Sequence, residues 1–160
     1  YNSIFFLNKE YFMSGSKALS QDDSSGFAFA QEMLDGDPTY AINFDRIQKH
    51  PEKGYIIFEY LLCEESQSVN PHTSHPNRYF NKNAQKFISL SNIARDLNAE
   101  LYLVNYAKKG TKHENKIKLM KVNSVNPNNT NNPVDTTDWT MTRAEFSEGF
   151  RKLNKECKGS

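Results

Sequence analysis

Cysteine is scarce in this chain of 160 residues, which contains only Cys63 and Cys157. Two cysteines cannot form the network of disulfides that holds small secreted domains together. A reducing compartment is therefore the expected location, and we predict an intracellular, cytoplasmic protein. Glycine is also scarce, with seven residues, and the sequence contains no glycine-rich loop of the kind that binds phosphate groups.

Long apolar runs are absent as well. A helix that spans a bilayer needs about 18 to 20 apolar residues, and no run in the sequence approaches that length. The first seven residues lack the basic segment and the small-residue cleavage site of a signal peptide. The sequence therefore predicts no membrane partner.

Neither sign of charge dominates, because the chain has 20 Lys and Arg residues and 19 Asp and Glu residues, which gives a net charge of +1. This balance excludes the overall basic field typical of many nucleic-acid-binding proteins. The distribution is uneven, however, because residues 108–121, here called the basic segment, contain six lysines and one glutamate. Contacts with nucleic-acid phosphates are predicted at Lys108, Lys109, Lys112 and Lys116. An exposed loop and edge strand without a binding role is the alternative.

A length of 160 residues favours one domain over residues 1–160. Hydrophobic periodicity predicts the order α-β-β-α-β-β-α, which indicates an α/β fold with a central mixed β-sheet flanked by helices. The expected helices cover residues 20–34, 84–97 and about 140–157, and the expected strands cover residues 40–47, 55–63, 100–106 and 116–122. Capping boxes are expected at residues 20–23 and 142–145, where the first and the last helix begin. The hairpin turn is placed at residues 50–54, and residues 64–83 and 126–135 are expected to be connections.

The most apolar stretch of the chain contains one acidic residue. Residues 55–63 read YIIFEYLLC, which predicts a strand buried on both faces with Glu59 at its centre. A buried carboxylate needs a partner, a metal ion or a shifted pKa, because it has lost its hydration. Glu59 is therefore either half of a structural ion pair or a functional residue.

A second acid, Asp45, lies on the preceding predicted strand. Two strands joined by a short turn can place Asp45 and Glu59 side by side, since cross-strand neighbours lie about 5 Å apart. Two adjacent carboxylates repel unless a cation joins them, and Mg²⁺ suits one or two carboxylates together with water and a phosphate oxygen. The pair predicts a Mg²⁺ or Mn²⁺ site. The alternative for Asp45 is a solvated ion pair with Arg46 or Lys49.

This order of elements and acids resembles the PD-(D/E)XK nuclease superfamily, which includes many restriction enzymes and DNA-repair nucleases. The family pattern is an acid on a first helix, an Asp at a strand end, and an apolar strand that carries Glu-x-Lys, followed by a helix and a strand. Glu32, Asp45 and Glu59 would fill the acidic positions, and the resemblance covers roughly residues 24–106. It implies a restriction-endonuclease-like core over about residues 20–125, with Glu32 supporting the metal.

The lysine of the family pattern is replaced by Leu61, which shares a strand face with Glu59 because strand side chains repeat every second residue. In the family, that lysine orients or deprotonates the attacking water. Three hypotheses follow. Lys82 or Lys86 reaches back from the next helix, Gln85 or a water serves instead, or the site is degenerate and the domain only binds.

The function predicted from the resemblance is Mg²⁺-dependent endonucleolytic hydrolysis of DNA phosphodiester bonds. The first alternative is a catalytically degenerate module of the same fold that binds nucleic acid or a protein. The second is a structural subunit, in a homodimer or a larger assembly. Dependence of DNA cleavage on added Mg²⁺ or Mn²⁺ separates the first two.

Overall fold

The computed structural model describes residues 23–43 and 45–159. Two compact units are distinguished, one that ends at Ala41 and one that runs from Ile42 to Lys158. The described helix of the N-terminal unit, α1, spans Asp23–Leu34. Its predicted end at Leu34 is confirmed, whereas the predicted capping box at residues 20–23 begins outside the described residues. A single domain over residues 1–160 stays a prediction.

The second unit is built on a five-stranded β-sheet with the strand order β1-β2-β3-β4-β5. Strands β2 and β3 are parallel and the other neighbouring pairs are antiparallel. The predicted α/β class with a central mixed sheet is therefore confirmed. The elements are β1 (Arg46–His50), β2 (Gly54–Leu62), a short 3-10 helix (Pro76–Arg78), α2 (Phe80–Asp96), β3 (Glu100–Tyr106), β4 (Lys116–Val125), β5 (Val134–Thr142) and α3 (Arg143–Glu156).

Strands β1 and β2 form the predicted hairpin, and a buried histidine organises its turn. His50 Nδ1 accepts hydrogen bonds from the backbone N–H groups of Glu52 and Lys53, each at 3.1 Å. The proton therefore lies on Nε2, which donates to Glu156 Oε2 on α3 at 2.9 Å. Gly54 has a φ of 77°, a region that glycine enters without steric cost. The turn at residues 50–54 is confirmed.

The predicted strand over residues 40–47 is wrong in its position. Strand β1 begins at Arg46, and residues 40–43 belong to no strand. The alternation of apolar and polar residues was present, but pairing with β2 decides where the strand lies. Asp45 Oδ2 accepts the Tyr60 N–H at 2.8 Å, a donor that a strand carbonyl would otherwise take. The ladder consequently ends at the pair Arg46–Phe58.

Strand β2 lies at the heart of the sheet, as its apolar sequence predicted. Ile56, Ile57 and Phe58 are at most 3% exposed. On one face, Ile56 and Phe58 belong to a core cluster against which Phe146 and Phe150 of α3 pack. On the other face, α2 packs against the sheet through residues that include Phe80, Phe87, Leu90 and Ala94. The sheet of this unit is thus covered by α2 on one side and α3 on the other.

Helix α2 begins earlier than its periodicity indicated. The expected connection at residues 64–83 is wrong over its last part, where a 3-10 helix spans Pro76–Arg78 and α2 starts at Phe80. Asn83 has non-helical dihedral angles, φ −129° and ψ 17°, which kink the helix. The regular spacing of apolar residues is interrupted at this kink. Only the part that follows it was recognisable as a helix.

The prediction that residues 116–122 form an edge strand is wrong. Strand β4 pairs with β3 on one side and with β5 on the other. Lys118 of β4 is 7% exposed, although a lysine on an edge strand would face solvent, and its Nζ lies 3.4 Å from the His72 carbonyl oxygen. Strand β5 was missed because its sequence, VDTTDWTMT, carries little hydrophobic signal. In the described part of the chain, β5 is the edge strand on this side of the sheet, and residues 126–133 connect β4 to β5.

The C-terminal helix follows β5 directly and begins at the predicted capping box. Thr142 Oγ1 accepts a hydrogen bond from Glu145 N at 3.1 Å, and Glu145 Oε2 accepts one from Thr142 N at 3.0 Å. These reciprocal bonds satisfy backbone donors that a helix start leaves without intrahelical partners. Among the described residues, no helix has the length and apolar character needed to cross a membrane.

Candidate active site

Asp45 and Glu59 are neighbours at the open end of the β1–β2 hairpin. The register pairs Arg46 with Phe58. Asp45, just before Arg46, therefore lies across from Glu59, just after Phe58. The hydrogen bond from Tyr60 N to Asp45 Oδ2 holds the Asp45 carboxylate against β2. The structure therefore brings together the two acids predicted to bind a metal, although their role at a metal stays a prediction.

Glu59 is 5% exposed, and its two carboxylate oxygens have different surroundings. Oε1 lies 2.7 Å from the ammonium nitrogen of Lys86. Oε2 is buried and has no hydrogen-bond partner among the described residues. Burial raises the pKa of Glu59, the Lys86 ammonium lowers it, and the Asp45 carboxylate raises it again, with a net increase above the ordinary value. The lysine therefore compensates only part of the cost of placing this charge inside the sheet.

Lys86 reaches Glu59 from helix α2, not from the strand. It precedes Phe87, which is 2% exposed and anchors this part of the helix on the sheet. The lysine side chain itself is 42% exposed, so its amine remains accessible to solvent and to a ligand. Leu61, at the position where the family pattern has lysine, is buried in the same core cluster as Phe87. Asp45, Glu59 and Lys86 are called the acid–lysine site below.

The other residues predicted to be catalytic, Lys82, Gln85 and Glu32, are exposed side chains. Lys82 is exposed near the start of α2. Gln85 is also exposed, and its Nε2 donates to Ser89 Oγ, one helical turn further on, at 3.0 Å. Glu32 is an exposed residue of α1 in the N-terminal unit. Roles for these three side chains in catalysis remain predictions.

The start of the basic segment lies at the end of the sheet where the parallel strands β2 and β3 both finish. Cys63 N, after β2, donates to Tyr106 O at the end of β3 at 2.8 Å. Arg143 holds the loop that follows β3, because its guanidinium donates to the carbonyl oxygens of Ala107 and Glu114 at 2.9 and 2.8 Å. Exposed lysines on this loop are Lys108, Lys109 and Lys112, whereas Lys116 is half-buried in β4.

A cavity of about 620 Å³ opens at the same end of the sheet. Its lining includes Leu61, Arg78, Tyr79, Asn83, Lys86 and Asn105. Lys86 thus contacts Glu59 and lines this cavity, here called the strand-end cavity. Sequence reasoning did not single out Asn105. The available signal was a polar residue within the apolar strand ELYLVNY, comparable to Glu59 in its own strand.

Asp45 and Glu59 are the residues of the acid–lysine site that could hold a small divalent cation of the Mg²⁺ type. Within residues 23–43 and 45–159, no group of three or more His, Cys, Asp or Glu side chains could hold a metal ion. Two carboxylates are nevertheless sufficient for Mg²⁺, which commonly keeps several waters and takes its remaining ligands from substrate phosphates. Glu59 Oε2 is buried and has no described hydrogen-bond donor, so it is the Glu59 oxygen that Lys86 does not occupy.

Comparison of the chain with protein-family models, with curated proteins and with solved structures finds no match in any of the three. Function is therefore inferred from the acid–lysine site and its surroundings. Three features of this part of the unit define it: two adjacent carboxylates, a lysine amine against one of them, and an open cavity alongside.

Proposed function

We propose that this protein is a metal-dependent endonuclease that hydrolyses DNA phosphodiester bonds with a site of the PD-(D/E)XK type. In this proposal, helix α2 supplies the catalytic lysine that the strand lacks. The observation that carries the proposal is the 2.7 Å contact between Lys86 Nζ and Glu59 Oε1, beside the carboxylate of Asp45. Two carboxylates and one lysine amine are the three chemical groups of the family pattern. Here the amine belongs to a residue of helix α2.

Asp45 and Glu59 are the residues that would hold Mg²⁺ or Mn²⁺. When bound, such a cation neutralises charge on the phosphate and lowers the pKa of a coordinated water. The Asp45 carboxylate is oriented by the Tyr60 N–H, which occupies Oδ2. Lys86 is partly exposed and lines the strand-end cavity, so its ammonium can hold a water or a phosphate oxygen close to Glu59.

A purely structural role explains the acid–lysine site less well. An ion pair retained for stability is expected to lower the pKa of its carboxylate, whereas the pKa of Glu59 is raised. Well-packed apolar residues often replace a buried ion pair at no loss of stability. A costly carboxylate with one unsatisfied oxygen is the condition expected where a charge is kept for binding or catalysis.

The basic segment supports DNA as the substrate. Its loop lies at the same end of the sheet as the strand-end cavity, with Lys109 and Lys112 exposed. Lys108 lies 4.0 Å from Glu64 and is 63% exposed in its side chain, so this weak surface pair leaves its charge available to phosphates. Such contacts contribute a sequence-independent, salt-sensitive attraction. A reducing, cytoplasmic location is part of the same proposal and agrees with two free cysteines.

The test is nicking of supercoiled plasmid with added Mg²⁺ or Mn²⁺ and with a chelator as the blank. Asp45→Asn and Glu59→Gln should each reduce the rate at least about a hundredfold, since each removes a charged metal ligand while keeping the shape of the side chain. Glu65→Gln, at an exposed acid in the connection after β2, is the matched control and should cleave normally. Persistent cleavage in both site variants, with circular dichroism unchanged, would contradict the proposed mechanism.

A catalytically degenerate binding module is the second candidate. It is favoured by the burial of Leu61 at the family's lysine position and by the occupation of Glu59 Oε1 by Lys86. This candidate predicts that DNA is retained with the same affinity in chelator and in Mg²⁺, with no nicking in either. Gel-shift and nicking assays on the same protein preparation separate the two candidates.

A further inference from the structure

The lining of the strand-end cavity carries positive charge. Among the described residues that line it, Arg78 and Lys86 are charged, and none is an aspartate or a glutamate. Lys86 is paired with Glu59 at 2.7 Å. The guanidinium of Arg78, by contrast, forms no ion pair, hydrogen bond or ring contact with the part of the chain that the structure describes. The opposite charge for Arg78 therefore has to come from solvent ions or from a ligand.

The backbone that carries Arg78 is held in place by its neighbours. His75 Nδ1 accepts the Asn77 N–H at 3.1 Å and caps the short 3-10 helix that ends at Arg78. Asn77 Oδ1 accepts the Val134 N–H at 2.8 Å, and Asn77 Nδ2 donates to the Val134 carbonyl oxygen at 3.2 Å, so this turn is fixed to β5. Pro76, which begins the 3-10 helix, is buried. The base of the Arg78 side chain is therefore fixed beside the cavity before a ligand binds, which lowers the entropy cost of binding.

The charge of Arg78 lies close enough to the cavity walls to affect their ionisation. Burial raises the pKa of the Cys63 thiol, and the Arg78 guanidinium opposes that rise. Burial also raises the pKa of the Tyr79 phenol, to about 12, again against the effect of Arg78. Cys63 and Tyr79 both line the cavity. Since both groups are neutral at about pH 7, neither offsets the positive charge of Arg78.

The chemistry of this lining suits a phosphate. A guanidinium binds phosphate through two parallel N–H···O bonds, and it stays charged at every physiological pH. Gln67 and Ser68 line the same cavity and are exposed, so an amide and a hydroxyl donor are available for further phosphate oxygens. Lys86 lines this cavity as well as contacting Glu59. A nucleic-acid strand whose cut phosphate lies at Lys86 therefore brings a neighbouring phosphate towards Arg78.

We propose that the strand-end cavity binds the backbone phosphate next to the one that is cut, and that Arg78 is the residue that holds it. This inference rests on the proposed nuclease function and adds a substrate-binding residue outside the acid–lysine site. A phosphodiester carries one negative charge, so the contact neutralises one phosphate and releases its condensed counterions. The contact carries no sequence information, because every nucleotide has the same phosphate.

The experiment measures binding of a short, fluorescent oligothymidylate to the full chain by anisotropy, in chelator and at several salt concentrations. The slope of log affinity against log salt concentration reports the number of neutralised phosphates, at about 0.7 for each in a single strand. Arg78→Gln should reduce this slope by about 0.7 and weaken binding about three- to tenfold at low salt. The same oligonucleotide with neutral methylphosphonate linkages should bind equally to Arg78→Gln and to the unmodified protein.

Two further variants separate a phosphate contact from a change in structure. Arg78→Lys keeps the charge and should therefore keep the salt slope, although it loses the bidentate geometry and some affinity. Arg151→Gln is the matched control, because Arg151 is an exposed arginine of α3, on the other side of the sheet. It should leave both slope and affinity unchanged. An unchanged slope in Arg78→Gln, or an equal reduction in Arg151→Gln, would overturn the proposal.

Failure of this inference is distinguishable from failure of the proposed function. A salt slope that falls in Arg78→Gln, without metal-dependent nicking by the unmodified protein, would retain the phosphate contact and remove the nuclease. Metal-dependent nicking that requires Asp45 and Glu59, with no effect of Arg78→Gln on the slope, would retain the nuclease and remove the phosphate contact.

Discussion

Replacing Lys86 by methionine should destabilise the protein in a manner that depends on pH. The substitution removes the cation 2.7 Å from Glu59 Oε1 and keeps most of the apolar volume. A hydrogen bond to a charged group contributes about 1.5–3 kcal/mol. The Lys86 side chain is 42% exposed, so solvent screens part of this interaction. We therefore expect a loss of about 1–2 kcal/mol in the free energy of unfolding at about pH 8.

The pH dependence follows from the charge on Glu59. Without Lys86, the pKa of Glu59 in the folded state rises further above its ordinary value of 4.5. Above this raised pKa, the folded protein carries an uncompensated carboxylate and the full penalty is present. As the pH falls through the raised pKa, Glu59 becomes protonated and the difference between the variant and the unmodified protein disappears.

The assay is urea unfolding followed by circular dichroism at about pH 8 and at about pH 4, which lies below both the ordinary and the raised pKa of Glu59, with a double-mutant cycle. Lys86→Met, Glu59→Gln and the double variant together isolate the interaction energy of the pair. Lys82→Met, at an exposed lysine of the same helix, is the matched control and should change little. The reasoning is refuted if Lys86→Met destabilises equally at both pH values and equally in the Glu59→Gln background.

Three further predictions concern single side chains, each measured by urea or thermal unfolding. Glu59→Gln should stabilise the protein by about 0.5–1 kcal/mol at about pH 8, because it removes a charge whose pKa is raised by burial. This gain should vanish as the pH falls through the raised pKa, and a gain that persists in acid would contradict it. Leu61→Lys should cost about 3 kcal/mol, since the side chain is 7% exposed within the core. It should not increase the rate of nicking, because Lys86 already supplies the amine; faster nicking would count against this. Thr142→Ala should cost about 1 kcal/mol through loss of the helix cap and leave nicking unchanged; an equal loss from Thr140→Ala, outside the cap, would refute the capping argument.

The elements recognised from sequence are those whose hydrophobic pattern and burial agree. Strand β2 was predicted to within one residue at each end, because nearly every side chain is apolar and the strand is buried on both faces. Helix α3 was recognised by Thr142 and Glu145, whose capping interactions are local in sequence. Strand β5 was not recognised, because an edge strand with exposed threonines differs little in composition from a loop.

The candidate site, too, could be predicted from the sequence only in part. A buried acid in an apolar strand and an acid across a short hairpin could be paired from sequence alone, because strand geometry determines cross-strand neighbours. Lys82, Lys86 and Gln85 could not be distinguished, since all lie within about one helical turn and the choice depends on how α2 is rotated on the sheet. Phe87 and Leu90 determine that rotation by packing into the core, and Lys86 is then directed to Glu59.

The amino-acid sequence by itself determined the α/β class, the central buried strand, the hairpin and the cost of a charge at Glu59, because these depend on residue chemistry and short-range periodicity. Only the tertiary structure decided that β4 is an interior strand, that Lys118 is buried, and that Lys86 is the lysine at the acidic pair. Each of these depends on contacts between segments far apart in the chain. Such contacts leave no local pattern, since any strand can accept a neighbour on either edge and any helix face can turn towards the sheet.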